Sequence, residues 1–277
     1  MTVLEDTVST HYTTGDLVAA IRNGLVQAGA DADHPRPDDL KGVDEFHTGG
    51  LEATEELLAP LGITAQTRVL DIGCGIGGTA RFIHQAYGAH VTGVDLTPAF
   101  VDTAHALTEM VGLQGSAVFL QGSALDLPVG DGAFDLATMI HVGMNIGDKP
   151  ALFAEVARVL APGGQFALFD IMLRRDGELS FPVPWASSAD HSFVTDPQAY
   201  RDAATGAGLT LEAERDRGDY AVAFFKKVMA ATEKRGGPPP VGLQLLMGPT
   251  APQKYGNIAE AIIEGTVGPW EMVFRKP

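Results

Sequence analysis

The chain has 277 residues, a formal net charge of −16 and one cysteine. The acidic balance argues against nucleic acid as a partner, because phosphate binding needs a basic face, and one cysteine excludes an internal disulfide framework. No apolar run reaches the length of about eighteen residues that would span a bilayer, and residues 1–6 lack the basic then apolar pattern of a signal peptide. The sequence therefore favours a cytoplasmic protein without a membrane span.

The part of the chain before the first strand is predicted to be mainly helical. Residues 10–30 carry apolar side chains at helical spacing. A turn-rich connector follows, then a polar loop over residues 43–50, then a second amphipathic helix from Leu51 to about Pro60. We interpret residues 1–62 as a helical lid with a loop that folds over a ligand.

A short apolar strand at residues 68–72 runs into a glycine-rich turn. Asp71 lies at the carboxyl end of this strand, and a helical pattern continues beyond the turn to Gly88. The glycines between them are Gly73, Gly75, Gly77 and Gly78. Glycines let the backbone approach a ligand closely, and the start of a helix offers free N–H donors. The stretch is therefore predicted to be a nucleotide-binding turn.

Two kinds of ligand fit such a turn. Gly73, Gly75 and Gly78 match the G-x-G-x-x-G spacing of dinucleotide enzymes, and Asp95 lies about 20 residues further on, as that motif expects. Asp71 argues against a dinucleotide, because its charge would repel a pyrophosphate but suit the ammonium group of an amino-acid moiety. The turn thus favours a ligand with an amino-acid moiety, and an NAD-dependent oxidoreductase stays the alternative.

Beyond the turn, strand and helix patterns alternate. Helices are predicted to begin at Pro98 and Pro150, and the further strands lie at residues 89–96, 117–123, 134–140 and 165–171. Such alternation predicts a parallel sheet with helices on both faces. In such sheets ligands bind beyond the carboxyl ends of the strands. The residues at those ends are Asp71, Asp95, Ser123 and His141.

The last third of the chain departs from simple alternation. Residues 172–195 are irregular and rich in proline, and a helix at 197–207 precedes a strand at 209–214. Two helical segments and a final strand follow, at residues 220–235, 251–264 and 270–274. We interpret residues 63–277 as one ligand-binding domain, with cap insertions at about 172–195 and 220–266 over the ligand face.

These motifs together resemble the class I S-adenosylmethionine (SAM)-dependent methyltransferases over residues 44–277. The resemblance rests on the glycine turn, on Asp95, on Leu160–Gly164 before the fifth strand and on a terminal strand after an insertion. Four stretches look like the sarcosine/dimethylglycine N-methyltransferase-like branch, near the ubiquinone/menaquinone methyltransferases: 11–16, 44–50, 141–149 and 182–186. The resemblance implies an α/β, Rossmann-like fold with a mainly parallel seven-stranded sheet, an antiparallel last strand, a helical N-terminal lid and an inserted cap.

The resemblance implies SAM as the cofactor and S-adenosylhomocysteine as its product. Gly73, Gly75 and Gly77 would line the methionine part with Asp71 nearby. Asp95 would accept from both ribose hydroxyls, as a carboxylate can, and Leu96 would pack on the adenine.

Two further segments take cofactor roles by the same resemblance. Ser123 and Ala124 would flank the adenine edge, but the commoner aspartate is absent at position 123, so a charged acceptor for the adenine amino group is missing. The loop that covers the methionine end would be Phe46–Gly50, with Phe46, His47, Gly49 and Gly50 as its cofactor-binding members.

Methyl transfer mainly requires alignment of the acceptor with the cofactor and exclusion of water, so orienting groups are expected rather than a catalytic triad. The catalytic candidates are His141, Asn145 and Tyr12, where His141 could also contact the cofactor and Tyr12 could turn its ring to the sulfonium. The acceptor-pocket candidates are Met144, Asn145 and Trp185. For each of these residues a packing or turn-forming role is the alternative.

The leading functional prediction is methyl transfer to a small molecule, with the nitrogen of a glycine- or sarcosine-type amine as acceptor. An O- or C-methyltransferase of a natural product or quinone is one alternative, and a non-catalytic SAM-binding protein is another. The histidines show no ligand spacing and no cysteine pair exists, so no metal site is expected. A homodimer is possible, and the sequence leaves the oligomeric state open.

Overall fold

The computed structural model describes residues 2–13 and 15–277. Over that part of the chain, helices and strands alternate after an N-terminal helical segment. The elements are α1 (Val3–Tyr12), α2 (Leu17–Gln27), α3 (Pro37–Asp44), α4 (Gly50–Leu58), β1 (Arg68–Ile72), α5 (Gly78–Tyr87), β2 (His90–Asp95), α6 (Pro98–Met110), β3 (Ala117–Gln121), β4 (Phe134–Ile140), α7 (Lys149–Val159), β5 (Leu160–Leu173), α8 (Pro197–Gly206), β6 (Thr210–Asp216), α9 (Gly218–Arg235), α10 (Gln244–Met247), α11 (Ala251–Ile263) and β7 (Val267–Arg275).

The strands form one seven-stranded sheet with the order β3-β2-β1-β4-β5-β7-β6 among the described residues. Strands β1 to β5 pair in parallel, whereas β7 runs antiparallel to both β5 and β6. The chain order reverses at β1, which lies between β2 and β4. A crevice for a ligand opens at such a reversal, beyond the carboxyl ends of the strands. The predicted fold class, with its antiparallel last strand, is confirmed.

Helices cover both faces of the sheet because alternate strand residues point to opposite sides. On β1, Leu70 and Ile72 pack in the layer of α7 and α8, whereas Val69 packs in the layer of α4, α5 and α6. Phe166 and Phe169 of β5 divide between the same two layers. Burial of a side chain of this size contributes about 1.5–3 kcal/mol, and the two layers together fix the sheet that positions the ligand edge.

The prediction of one helix over residues 10–30 was wrong. Two helices, α1 and α2, occupy this region and are separated by a break before Leu17. Gly15 has a φ of 96°, which an α-helix does not allow, and the Asp16 carboxylate accepts a hydrogen bond from Ala19 N at 3.0 Å to cap α2. The side chain of Asp16 thus starts a new helix where apolar spacing alone suggested a continuous one.

The connector before residue 43 is also more helical than predicted. Helix α3 begins at Pro37, in the first-turn position where proline needs no N–H partner. Arg36 and Asp39 form a capping pair across its first turn, with the Arg36 N–H donating to the Asp39 carboxylate at 2.9 Å. The bounds of strand β5 also differ, because it begins at Leu160 and not at 165.

The cap consists of the segment after β5 together with α9, α10 and α11. Trp185 and Val183 of the proline-rich segment pack with Phe225 of α9 and Ile258 of α11 in a separate apolar cluster beside the sheet. The described residues contain no helix long and apolar enough to cross a membrane. The division into a lid at 1–62 and a domain at 63–277 stays a prediction.

Candidate active site

A cavity of about 350 Å³ lies at the carboxyl ends of β1 to β4, where the strand order reverses. The glycine turn forms one wall, and helix α1 forms part of another. The predicted site residues that line this cavity are Tyr12, Phe46, His47, Asp71, Gly73, Gly75, Asp95, Leu96, Ser123, Ala124, His141 and Asn145. Residues from the lid, the glycine turn and four strand ends therefore meet around one space.

Asp71 is the buried carboxylate at the tip of β1. Its Oδ1 accepts a hydrogen bond from Thr138 Oγ1 at 2.8 Å, whereas its Oδ2 is buried without a partner. Burial, together with the smaller effect of the nearby carboxylates Glu45 and Asp95, raises the pKa of Asp71 to about 7 against the opposing effect of the Thr138 hydrogen bond. A buried oxygen without a donor costs folding energy unless a ligand supplies one. Asp71 is therefore suited to bind a cationic group in the cavity.

Asp95 ends β2 and holds the glycine turn. Its Oδ2 accepts from Gly75 N at 2.9 Å, and its Oδ1 accepts from Thr97 N at 2.8 Å. Burial raises the pKa of Asp95 above its ordinary value, although these two backbone donors oppose the shift. A carboxylate oxygen can accept a second hydrogen bond, so Asp95 can still bind hydroxyl groups of a ligand from both oxygens.

The glycine turn has the backbone conformation that its composition predicts. Gly73, Gly75 and Gly77 all have positive φ angles, at 71°, 54° and 84°. A Cβ at Gly75 would meet no protein atom within 4 Å, and the residue lines the cavity, so a side chain there would project into ligand space. A Cβ at Gly73 would instead lie 2.3 Å from the side chain of Val142. Gly73 therefore allows the loop after β4 to pack against the turn.

Helix α1 closes the cavity through two polar contacts and one aromatic cluster. Glu5 accepts a hydrogen bond from Ser123 Oγ, and Tyr12 donates from its hydroxyl to Asn145 Oδ1 at 3.2 Å. The Tyr12 ring lies with its centroid 6.2 Å from that of Phe46 and 5.6 Å from that of Phe100. Burial raises the pKa of Tyr12 well above its ordinary value, so this hydroxyl stays protonated and acts as a donor.

His141 follows β4 directly and has a strained backbone. Its φ is 54°. Among the residues that the structure describes, His141 is the only one other than glycine with a positive φ. Its N–H donates to Phe169 O at 2.7 Å, which holds this conformation. Nε2 is buried without a partner, and burial, with a further effect from His47, holds the pKa of His141 well below its ordinary value. The ring is therefore neutral at neutral pH and carries one unpaired nitrogen in a residue that lines the cavity.

His47 is held by two residues of the lid. Its Nε2 lies 2.7 Å from Glu45 Oε2, and Thr54 Oγ1 donates to the same carboxylate oxygen at 2.8 Å. The imidazole rings of His47 and His141 lie 5.7 Å apart between centroids. The lid thus supplies a fixed imidazole next to that of the loop after β4.

A second cavity of about 90 Å³ adjoins the first on the side of the cap. Met144 and Trp185, the two remaining acceptor-pocket candidates, line this space and not the larger one. The side chains that line both cavities are Tyr12, Phe46, His47 and His141. Two ligands in the two cavities would therefore meet between these four rings.

Three predicted cofactor residues lie outside the lining of both cavities. Gly49 packs on helix α9, since its Cβ would lie 2.8 Å from the ring of Tyr220. Gly50 opens helix α4 and borders an outer groove. Gly77 caps α5, and its Cβ would lie 2.7 Å from Phe119. Their roles as cofactor contacts stay predictions, and their positions favour backbone and packing roles.

Sequence reasoning missed an ion pair beneath the site. Arg81 of α5 is buried and donates to the Asp44 carboxylate at 2.5 Å, to Ile76 O at 2.9 Å and to Thr108 Oγ1 at 3.1 Å. Burial raises the pKa of Asp44 to about 6 in spite of Arg81. The pair attaches the lid helix α3 to the helix that follows the glycine turn. An arginine on the predicted inner face of an amphipathic helix was the available signal.

The fold and this cavity together define an α/β protein of the nucleotide-binding type, with a glycine turn and two carboxylates at adjacent strand tips. The family described as "Methyltransferase domain" matches residues 70–168, which include the turn, Asp95 and the loop after β4. Residues 70–168 belong to this family, and the chain has the fold of the class I SAM-dependent methyltransferases.

Individual relatives agree with this membership. The chain is 28% identical over 192 residues to the glycine/sarcosine/dimethylglycine N-methyltransferase of Actinopolyspora halophila, covering 69% of the chain and 34% of that protein. A sarcosine dimethylglycine methyltransferase candidate from Galdieria sulphuraria is 27% identical, with a TM-score of 0.66 over 82% of the chain and 85% of that structure. Phosphoethanolamine N-methyltransferase 2 of Haemonchus contortus shares the fold at 17% identity, with a TM-score of 0.76 over 100% of the chain and 60% of that structure.

The chain spans about a third of the length of the first curated relatives it matches. Those relatives and others are named for methylation of nitrogen, oxygen and carbon. The comparisons therefore identify the family and leave the acceptor atom open. Among the residues that the structure describes, no group of three or more metal-ligating side chains is present.

The cavity fits the cofactor that this family uses. The unpartnered Oδ2 of Asp71 suits the ammonium group of the methionine moiety, and Gly75 leaves open space beside it. Asp95 has acceptor capacity left on both oxygens for ribose hydroxyls. These features suit a cationic amino-acid moiety joined to a sugar, and two carboxylates at the turn would oppose a pyrophosphate.

Proposed function

We propose that this protein transfers the methyl group of SAM to a small-molecule acceptor. The observation that carries this proposal is the buried, unpartnered Oδ2 of Asp71 in a glycine-lined cavity, one strand away from Asp95. Family membership supports the same reaction. In this proposal Asp71 binds the ammonium group, Asp95 binds the ribose, and helix α1 shields the bound cofactor from water.

When bound, SAM supplies an electrophilic methyl group; its transfer leaves the carbon–sulfur electron pair on sulfur and requires the acceptor to release one proton. The protein's own contribution is alignment and removal of that proton. His141 borders both cavities and has an unpaired Nε2 on a neutral ring. Its Nε2 is therefore our candidate to accept the proton or to orient the acceptor.

Two classes of acceptor have separate support. A glycine- or sarcosine-type amine is favoured by the names of similar proteins. An oxygen or carbon nucleophile on a larger molecule is favoured by the second cavity, whose described lining includes Met144, Trp185 and Phe225 and has no lysine or arginine to pair with a substrate carboxylate. The second observation concerns this chain itself, so we rank the larger, uncharged acceptor first.

Calorimetry with S-adenosylhomocysteine and with NAD tests the cofactor. We expect binding of S-adenosylhomocysteine and no competition by NAD. Binding of NAD without binding of S-adenosylhomocysteine would instead indicate a dinucleotide enzyme. Turnover is then tested with labelled SAM on sarcosine, dimethylglycine, alkylphenols and alkylamines. A non-catalytic SAM-binding protein would bind S-adenosylhomocysteine and release none from SAM on any of these acceptors.

A further inference from the structure

The small cavity beside the cofactor site adjoins a much larger groove. This groove of about 1160 Å³ lies between α9, α11 and the lid segment around residues 41–50. Phe224, Phe225, Val228, Leu243 and Tyr255 line both spaces, together with His47. The groove at the surface and the small cavity therefore adjoin between the cap helices, beside the rings that border the cofactor cavity, and together they outline a path to it.

The walls of this path are mainly apolar. At the outer end, Met229 and Ile263 are large apolar side chains that are 57% and 44% exposed. At the inner end, Trp185 donates from Nε1 to Ser192 Oγ at 2.9 Å, so its indole nitrogen is already satisfied and its ring serves as an apolar wall. Contiguous exposed apolar surface of this kind is typical of a binding site.

The charges at the groove argue for an acceptor without negative charge. Its mouth carries the exposed acidic residues Glu233, Glu260 and Glu264 against one lysine, Lys41, within the described lining. The inner cavity has no lysine or arginine in its described lining. A carboxylate or phosphate in this path would lie near acidic groups and would be desolvated without a counter-ion.

We propose that the groove between α9 and α11 is the acceptor channel of this methyltransferase, and that the acceptor is an elongated molecule without a negative charge and with an aliphatic or aromatic body. The nucleophilic end reaches His141 at the inner cavity, and the body lies along Phe224, Val228 and Tyr255 toward the surface. This proposal rests on the proposed function, because it assigns the second substrate of the same site.

The test uses the full chain saturated with S-adenosylhomocysteine and a series of probes: 4-methylphenol, 4-butylphenol and 4-octylphenol, with sarcosine as the charged comparison. Titration calorimetry should give an affinity that rises with chain length, at roughly threefold per added methylene group while the chain stays inside the channel. Sarcosine should show no binding. Affinity that does not change along the series, or saturable binding of sarcosine alone, would overturn the channel.

Variants separate the channel from nonspecific adsorption. V228R places a charge in the middle of the path. It should make the increase in affinity from 4-methylphenol to 4-octylphenol at least tenfold smaller than in the wild type. M229E changes an exposed residue at the mouth, where water can solvate the new carboxylate, and should weaken the binding of octylphenol several-fold. V118R is the matched control, since Val118 is 54% exposed on β3 and borders neither space; it should bind as the wild type does.

If affinity increases equally along the phenol series in V228R, M229E and V118R, the alkyl chain binds elsewhere and the channel is refuted. The first titration, with S-adenosylhomocysteine alone, keeps the two proposals distinct. Failure there contradicts the proposed function, whereas normal binding there with a flat phenol series contradicts only the acceptor channel.

Discussion

The hydroxyl of Tyr12 lies 3.2 Å from Asn145 Oδ1, and this hydrogen bond joins helix α1 to the loop after β4. Asn145 is fixed in turn, since its Nδ2 donates to Val142 O at 3.1 Å. Helix α1 is therefore attached directly to the loop that carries His141. In our proposal, closure of α1 over the cofactor and formation of the acceptor site are parts of one arrangement.

Replacement of Tyr12 by phenylalanine tests this attachment. Y12F keeps the ring against Phe46 and Phe100 and removes one hydrogen bond, which contributes about 0.5–1.5 kcal/mol. We expect the Kd for S-adenosylhomocysteine to rise roughly threefold to tenfold, as measured by calorimetry. Y87F is the control, because Tyr87 packs on Phe82 outside the cavity. Equal affinity in Y12F and wild type would mean that the lid closes through apolar contacts alone.

Asp71 should affect folding and binding in opposite directions. Its pKa of about 7 lies above the ordinary value for a carboxyl, so between these values the folded chain binds more protons than the unfolded chain. Its contribution to the free energy of unfolding therefore falls as pH rises through this window. We expect D71N to raise the Tm of the free protein at pH 8 and to have little effect near pH 4.

The same variant should bind S-adenosylhomocysteine more weakly at pH 8, because an amide cannot pair with an ammonium group. Wild-type affinity should increase from pH 6 to pH 8 as Asp71 ionises, and that increase should be absent in D71N. Thermal scans and calorimetry at each pH give both readouts, with D102N on the exposed face of α6 as control. A lower Tm in D71N at pH 8 would contradict the assignment of Asp71 as a strained binding group.

Asp95 has a second function in the free protein, since it holds Gly75 N and Thr97 N. D95A should remove the proposed ribose contacts and loosen the turn, with a loss of roughly 2–4 kcal/mol in binding. This loss corresponds to a Kd for S-adenosylhomocysteine that is roughly thirtyfold to a thousandfold higher. D102A is the control in the same calorimetric assay. Unchanged affinity in D95A would assign the ribose to another group.

The sheet and the convergence of its strand ends could be predicted from sequence because both follow from local patterns. Apolar runs alternate with helical spacing, and parallel strands must end at one edge. Asp71, Asp95, Ser123 and His141 could therefore be assigned to one edge before any contact was known, and all four line one cavity. Periodicity does not show which residue a lid helix contacts.

The pairs that close the site are distant in sequence and depend on tertiary packing. Glu5 meets Ser123, and Asp44 meets Arg81, across layers whose docking no local pattern encodes. The missing aspartate at position 123 was visible as a gap in the expected motif. The carboxylate that contacts Ser123 comes instead from helix α1, which could be found only once the lid was in place.

The buried pair of Arg81 and Asp44 should stabilise the attachment of α3 to α5. R81M leaves Asp44 buried without its partner, and loss of one member of such a pair costs about 3–5 kcal/mol. Urea unfolding should show this decrease, and the double variant R81M/D44N should recover part of it because no charge is then left buried. If the double variant is no more stable than R81M, the pair contributes through packing and not through charge.

His141 can be tested with a substitution that respects its backbone. Asparagine tolerates a positive φ better than alanine does, so H141N should keep the fold and the affinity for S-adenosylhomocysteine. If Nε2 takes the proton that the methyl acceptor releases, kcat should fall roughly a hundredfold or more in H141N. The assay uses an acceptor that the wild type methylates.

The pH profile gives a second test of His141. Because the pKa of His141 is held well below its ordinary value, wild-type kcat should stay level through neutral pH and fall only in acid. H84N, on α5 and outside the cavity, is the control; unchanged kcat in H141N would restrict His141 to a packing role.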